Sequence, residues 1–280
     1  MKKHALVIFF LLAYLFTWSN WLPQALNSRG ITSIQVPGFL TLLAGYGPAL
    51  AAIIVASLAY GWQGLRELFG RLFRWRVGIQ WYLIALFLPA LITLLAITLN
   101  NLTGGATPDF SAAGFPFGPA ETPLWQKILI LFLVFVLGFD GLGEELGWRG
   151  FALPKLLERY SALVSSLMLG TLWAVWHFPY ALSEGSFLSD VPLHWFFINL
   201  LAVSIIYTWI FINTNVSLFL ALLFHAAGNV TSNLLPILPP AAQDLRIYYF
   251  TIAINCAIAI ALLLLSNQSL RYREKALQPD

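Results

Sequence analysis

Six polar residues in this 280-residue chain combine types and spacings that hydrolytic chemistry requires. Glu144 and Glu145 are adjacent, and Arg149 follows Glu145 by four residues, in the run Gly141-Leu-Gly-Glu-Glu-Leu-Gly-Trp-Arg-Gly150. Neighbouring side chains on a helix diverge by about 100°, so the two carboxylates face different partners. Glu145 and Arg149 share a face at i,i+4 and can pair. That leaves Glu144 unpaired, pointing elsewhere and toward a cavity. Gly143 and Gly147 form a small-xxx-small face that admits a second helix closely. His177 lies in Trp173-Ala-Val-Trp-His-Phe-Pro179, where Pro179 is expected to kink or end the helix and free backbone groups beside the histidine. His225 and Asn229 are again i,i+4, with Ala226, Ala227 and Gly228 leaving room beside them. Each cluster alone also has a bland reading: an interfacial ion pair, a packing histidine, an interhelical hydrogen bond. Together they supply a general base, a partner for water and neutral donors for an oxyanion.

The elements that must hold these groups are apolar. Hydrophobic residues make up 59% of the chain and charged residues 10%, against roughly 45–50% and 25% in soluble domains. Mean hydropathy is +0.78. So few charges cannot clothe a soluble globule of this size, and the composition predicts an all-α, polytopic membrane helix bundle, a single transmembrane domain over 1–280. A spanning helix needs about 20 apolar residues, which gives about eight spans: 5–22, 39–60, 79–100, 124–143, 161–181, 191–212, 216–236 and 247–266. Breaks fall at Asn-Ser-Arg-Gly (27–30) and at Pro239-Pro240. The first span, after Lys2 and Lys3, reads as an uncleaved anchor. Polar groups inside such spans are costly and usually functional, which is why the six residues stand out.

Charge placement orients the bundle. With eight spans, Lys2, Lys3, Arg66, Arg71, Arg74, Arg76, Arg149, Lys155, Arg159, Arg271, Arg273 and Lys275 share one side, and only Arg29, Lys127 and Arg246 lie on the other. The positive-inside rule makes both termini cytoplasmic, in an integral, multi-pass protein of the plasma membrane. The net charge of +3 therefore orients the chain and gives no reason to expect nucleic acid. Residues 61–78 read as a cytoplasmic interfacial basic helix, with Leu65, Leu68, Phe69, Leu72 and Phe73 on one face and Arg66, Glu67, Arg71 and Arg74 on the other. Membrane lipids are the partners this predicts. Trp18, Trp21, Trp62, Trp81 and Trp195 fit an interface belt. One cysteine, Cys256, rules out a disulfide framework and a cysteine metal site.

In this setting the sequence resembles the CAAX prenyl endopeptidase and bacteriocin-processing (CPBP, or ABI) family of intramembrane proteases. The resemblance rests on three boxes in order: Glu144-Glu145-Leu-Gly-Trp-Arg149, Trp173-Ala-Val-Trp-His177 and His225-Ala-Ala-Gly-Asn229. It covers a catalytic core of about 123–235, and Gly47-Pro48-Ala49 and Arg66–Arg76 also look like the family. Trp173 stands where the family often has Phe. The resemblance implies an endopeptidase acting on a membrane-associated protein or peptide, prenylated proteins being the substrates of eukaryotic relatives. By position, Glu144 would be the general base, His177 would hold the water, and His225 and Asn229 would stabilise the oxyanion. Glu145 with Arg149 would order the site. A carboxylate in a low-dielectric cavity is the better base that such a role needs. The family's metalloprotease naming implies zinc, with His177, His225 and Glu144 as ligands, although no His-Glu-x-x-His spacing is present. A metal-free mechanism is equally compatible with these residues.

Two other readings use the same residues: a non-catalytic membrane scaffold or bacteriocin-immunity-type protein, and a transporter or proton pathway, which would show inverted repeats that are not seen here. The catalytic reading carries a geometric requirement. Glu145 and His177 each lie sixteen residues from Ser161. A hairpin about Ser161 brings them to one depth only if the chain stays helical past Arg149 and Pro154.

Overall fold

The computed structural model describes residues 2–110, 115–119, 121–138, 141–186, 188–235 and 244–266, with the side chains of 42 and 43 excepted. Among these the regular structure is helical and no strand occurs. The helices are α1 (Ala5–Ser28), α2 (Gly38–Gly70), α3 (Ile79–Leu102), α4 (Leu124–Leu137), α5 (Leu142–Gly147), α6 (Leu153–Leu157), α7 (Ala162–Trp176), α8 (Phe178–Leu182), α9 (Leu193–Asn213), α10 (Leu218–Leu234) and α11 (Arg246–Leu265). The all-α membrane bundle expected from composition is observed. Among the described residues, five helices are long and apolar enough to cross a membrane, and α7 and α10 are shorter apolar helices. Val7, Leu11, Leu15 and Leu22 on α1, and Leu83, Phe87, Leu91 and Leu94 on α3, form exposed apolar rows. Such rows are stable where lipid rather than water covers them.

The fourth expected span, 124–143, is broken. Helix α4 ends at Leu137, and α5 restarts at Leu142. A Cβ at Gly138 or Gly141 would overlap the carbonyls of Val134 or Phe135, so glycine lets the chain fold back against the end of α4. From Leu142 the chain remains helical to Leu157 through a π-turn at Trp148–Ala152. The helix therefore does continue past Arg149 and Pro154. Ser161 then caps α7, its hydroxyl accepting from Val164 N at 3.3 Å, and the hairpin forms. At the far end α7 closes at Trp176, His177 is its C-cap, and α8 carries Pro179 in its first turn.

Within 61–78, a kink at Gly61 (φ 65°) separates the helical stretch 62–70 from the rest of α2, and a short 3-10 turn at Arg71–Phe73 follows. Leu68 is buried in the core, while Trp62, Phe69, Phe73 and Trp75 are exposed. Contacts sort the loops into two ends. Lys2 and Lys155 both reach the Tyr60 ring, Arg71 donates to Gly150 O at 3.2 Å and Arg74 to Asn215 O at 3.1 Å. At the other end Arg29 donates to Leu182 O and Arg246 to Thr103 O. Arg271, Arg273, Lys275 and the Pro239-Pro240 break lie outside the described residues, as does the C-terminus.

Helix α2 braces the site from behind. A Cβ on Gly143 would meet Gly45 O and Tyr46, and one on Gly147 would meet Pro48. The small face thus admits α2, as its spacing predicts.

Candidate active site

The two carboxylates of α5 diverge as helix geometry dictates. Glu145 is fully buried, and its Oε1 accepts from Arg149 Nη1 at 2.7 Å and from His225 Nδ1 at 2.7 Å. The Arg149 guanidinium, also fully buried, lies over the rings of Tyr207 (3.8 Å to the centroid) and Trp173 (4.3 Å). Glu145 Oε2 and Arg149 Nε and Nη2 have no hydrogen-bond partner among the described residues. The cluster is therefore held by one shared oxygen and two aromatic faces, an arrangement that fixes geometry more than it adds stability.

Glu144 is not left unpaired. Its Oε2 accepts from Trp173 Nε1 at 2.6 Å and from Trp148 Nε1 at 3.2 Å. Trp148 opens the π-turn, and turns of this kind recur at functional sites. Trp173 thus does what a phenylalanine could not: its indole N–H donates to the proposed base. Its carbonyl lies 2.9 Å from His177 Nδ1, and its ring centroid lies 5.8 Å from that of His177 and 6.2 Å from that of His225. The three sequence boxes meet at this one side chain.

The hydrogen bonds constrain the histidine protons. A carbonyl only accepts, so His177 Nδ1 carries a proton, and in the neutral ring Nε2 is a bare acceptor. By the same logic His225 Nδ1 donates to Glu145, so Nε2 donates to an oxyanion only when the ring is doubly protonated. Asn229, one turn further along α10 and partly exposed, forms no side-chain hydrogen bond among the described residues, and its amide is a neutral donor. Glu144, Glu145, Arg149, His177 and His225 are brought together. Asn229 flanks them one helical turn away.

Several site residues carried no signal in the sequence. Trp18 and Trp21 fitted an interface belt, but Trp18 Nε1 donates to Trp176 O at 2.9 Å. The Trp21 ring lies 4.5 Å from Trp176 and 6.0 Å from His177. With Phe196 of α9 at 5.4 Å and Trp176 at 4.7 Å, Trp21 completes an aromatic wall around His177. Tyr207 of α9 closes the other flank. Aromatic residues have the same hydropathy whether they meet lipid or a catalytic group, so only their contacts distinguish them.

No three His, Cys, Asp or Glu side chains converge as metal ligands among the described residues. Glu144 Oε2 is taken by two indoles, and His225 Nδ1 by Glu145.

Residues 125–231, which hold all three boxes, match the family model of the Type II CAAX prenyl endopeptidases, Rce1-like. The chain is also 27% identical over 263 residues to CAAX prenyl protease 2 of Methanococcus maripaludis, covering 91% of this chain and 92% of the relative. The match to the relative spans nearly both chains, and the three boxes converge on one buried indole, so the chain is similar to the Rce1-like CAAX prenyl endopeptidases in sequence and in the residues its fold brings together.

Proposed function

We propose that this intramembrane endopeptidase hydrolyses its peptide bond with water activated by Glu144, and that the reaction needs no metal. The observation that carries the reading is the pairing of Glu144 and His177 through the two ends of Trp173. A water between them meets a carboxylate and the bare Nε2 of His177, two acceptors for its two protons. Its oxygen attacks the scissile carbonyl carbon while Glu144 takes a proton. The oxyanion is stabilised by the Asn229 amide and by His225 in its doubly protonated form. Glu144 then returns the proton to the departing nitrogen as the C–N bond breaks, leaving a carboxylic acid and an amine. Glu145 and Arg149 touch no reacting atom and hold His225 in place.

The substrate is a membrane-associated protein or peptide, and the relative's name makes a prenylated CAAX peptide the first one to try. The basic end faces the cytoplasm and the protein resides in the plasma membrane. The test is turnover of prenylated and unprenylated CAAX peptides in detergent by wild type and Glu144→Gln, with and without chelator. The variant is expected to lose about 10²–10⁴-fold in kcat, the range of general-base catalysis, while remaining folded, and chelator leaves the wild type unchanged. Undiminished turnover by Glu144→Gln overturns the role of Glu144. Loss on chelation, reversed by zinc, overturns the metal-free mechanism.

A further inference from the structure

Outside the catalytic cluster, a cleft of about 290 Å³ opens at the basic end of the bundle, lined by Phe73, Arg74, Trp75, Arg76, Val77, Thr214 and Asn215. That is close to the roughly 300 Å³ at which small-ligand pockets begin. One wall, segment 73–77, carries two arginines, and neither Arg74 nor Arg76 forms an ion pair among the described residues. Arg74 spends one N–H on Asn215 O at 3.1 Å, and the Arg76 guanidinium lies over the Trp75 ring at 5.2 Å. Phe73 and Trp75 are exposed beside them, which is the composition of a bilayer interface. The opposite wall is the turn before α10, where Asn215 (φ 55°) and the fully buried Val216 (φ 50°) adopt left-handed backbone. For a β-branched residue that conformation is strained and persists only where its surroundings demand it.

We propose that this cleft binds the phosphate of an anionic lipid headgroup. Cationic side chains without carboxylate partners, in a pocket rimmed by exposed aromatic residues at the basic end of the bundle, match that chemistry and location. The cleft also neighbours segments that contact or lead into the elements holding Arg149 and His225. Arg71, three residues before Arg74, donates to Gly150 O, next to Arg149. The Asn215 turn leads into α10, which carries His225 and Asn229. An occupied cleft therefore ties the end of α2 to the segments that hold Arg149 and His225, so anionic lipid raises turnover.

The test titrates the full chain in detergent with phosphatidylglycerol, phosphatidylcholine and inorganic phosphate, counting retained lipid by native mass spectrometry. Wild type retains phosphatidylglycerol over phosphatidylcholine. Arg74→Gln and Arg76→Gln each weaken that retention about fivefold and together about twenty-fivefold, the effect of about 1 kcal/mol per basic residue. Arg74→Gln keeps a donor for Asn215 O, and unchanged phosphatidylcholine retention confirms an intact bundle. Equal retention of the two lipids, or a double variant that binds as wild type, overturns the site. Displacement of phosphatidylglycerol by inorganic phosphate at matched concentration overturns the lipid as its source. In vesicles, peptide turnover rises with phosphatidylglycerol for wild type and not for the double variant; an equal rise in both overturns the link to catalysis. Glu144→Gln retains phosphatidylglycerol as wild type does, so failure of the hydrolytic mechanism is read separately.

Discussion

Glu144 and Glu145 are covalent neighbours with opposite surroundings. Glu145 meets a guanidinium and an imidazole through one oxygen, in a pocket with no exposure. Glu144 meets two neutral indoles, keeps 5% of its surface exposed and sits beside a half-buried histidine. A carboxylate matched by a buried cation has its charge committed to holding its neighbours. One held by neutral donors is fixed in place and still able to take a proton. Helix geometry points the two side chains apart, and under the proposed mechanism the charge of what each then meets divides the labour. The division also explains why α9 matters to a site whose sequence boxes lie on other elements, since Tyr207 covers Arg149 on the Glu145 side.

Four substitutions test that contrast. The largest effect is expected on the Glu145 side: Arg149→Met leaves a buried carboxylate without its cation and should cost about 3–5 kcal/mol of stability, read by thermal unfolding in detergent. Glu145→Leu combined with Arg149→Met should recover most of that stability while activity stays lost. An active double variant would show that the buried pair does not position His225. Next, Asn229→Ala should lower kcat by about 10²–10³-fold with little change in unfolding temperature, because its side chain is partly exposed and unbonded. A loss of stability without loss of kcat would move Asn229 from chemistry to packing. The smallest change is expected from Trp173→Phe, which keeps the ring over Arg149 and the carbonyl under His177 but removes one donor to Glu144. Hydrogen bonds to charged groups are worth about 1.5–3 kcal/mol, and Trp148 remains, so kcat should fall about tenfold at constant KM. An unchanged kcat would mean that Trp148 alone holds the base.

Much of the site was legible because its signals are local. The i,i+4 spacings of Glu145 with Arg149 and of His225 with Asn229 place each pair on one helix face whatever surrounds them. Gly143 and Gly147 announced a close helix, and α2 is there. Pro179 marked the end of α7 beside His177. What stayed hidden lies far apart in the chain. Trp173 reaches Glu144 across 29 residues, and Trp18 reaches Trp176 across 158. An indole in an apolar run gives no sign of where its N–H points. The same limit made Glu144 look unpaired, and it hid that Leu68, beyond the kink at Gly61, turns inward to the core.

Composition and local spacing by themselves determined that the chain is a helical membrane protein and singled out six polar residues as candidates for chemistry, because hydropathy and helical periodicity act within a few turns. Only the tertiary structure decided which carboxylate meets a cation and which accepts from indoles, and that Trp173 joins Glu144 to His177. It also showed that no metal-ligand cluster forms among the described residues. Those outcomes depend on which side chains from distant helices share one small volume, and packing sets that.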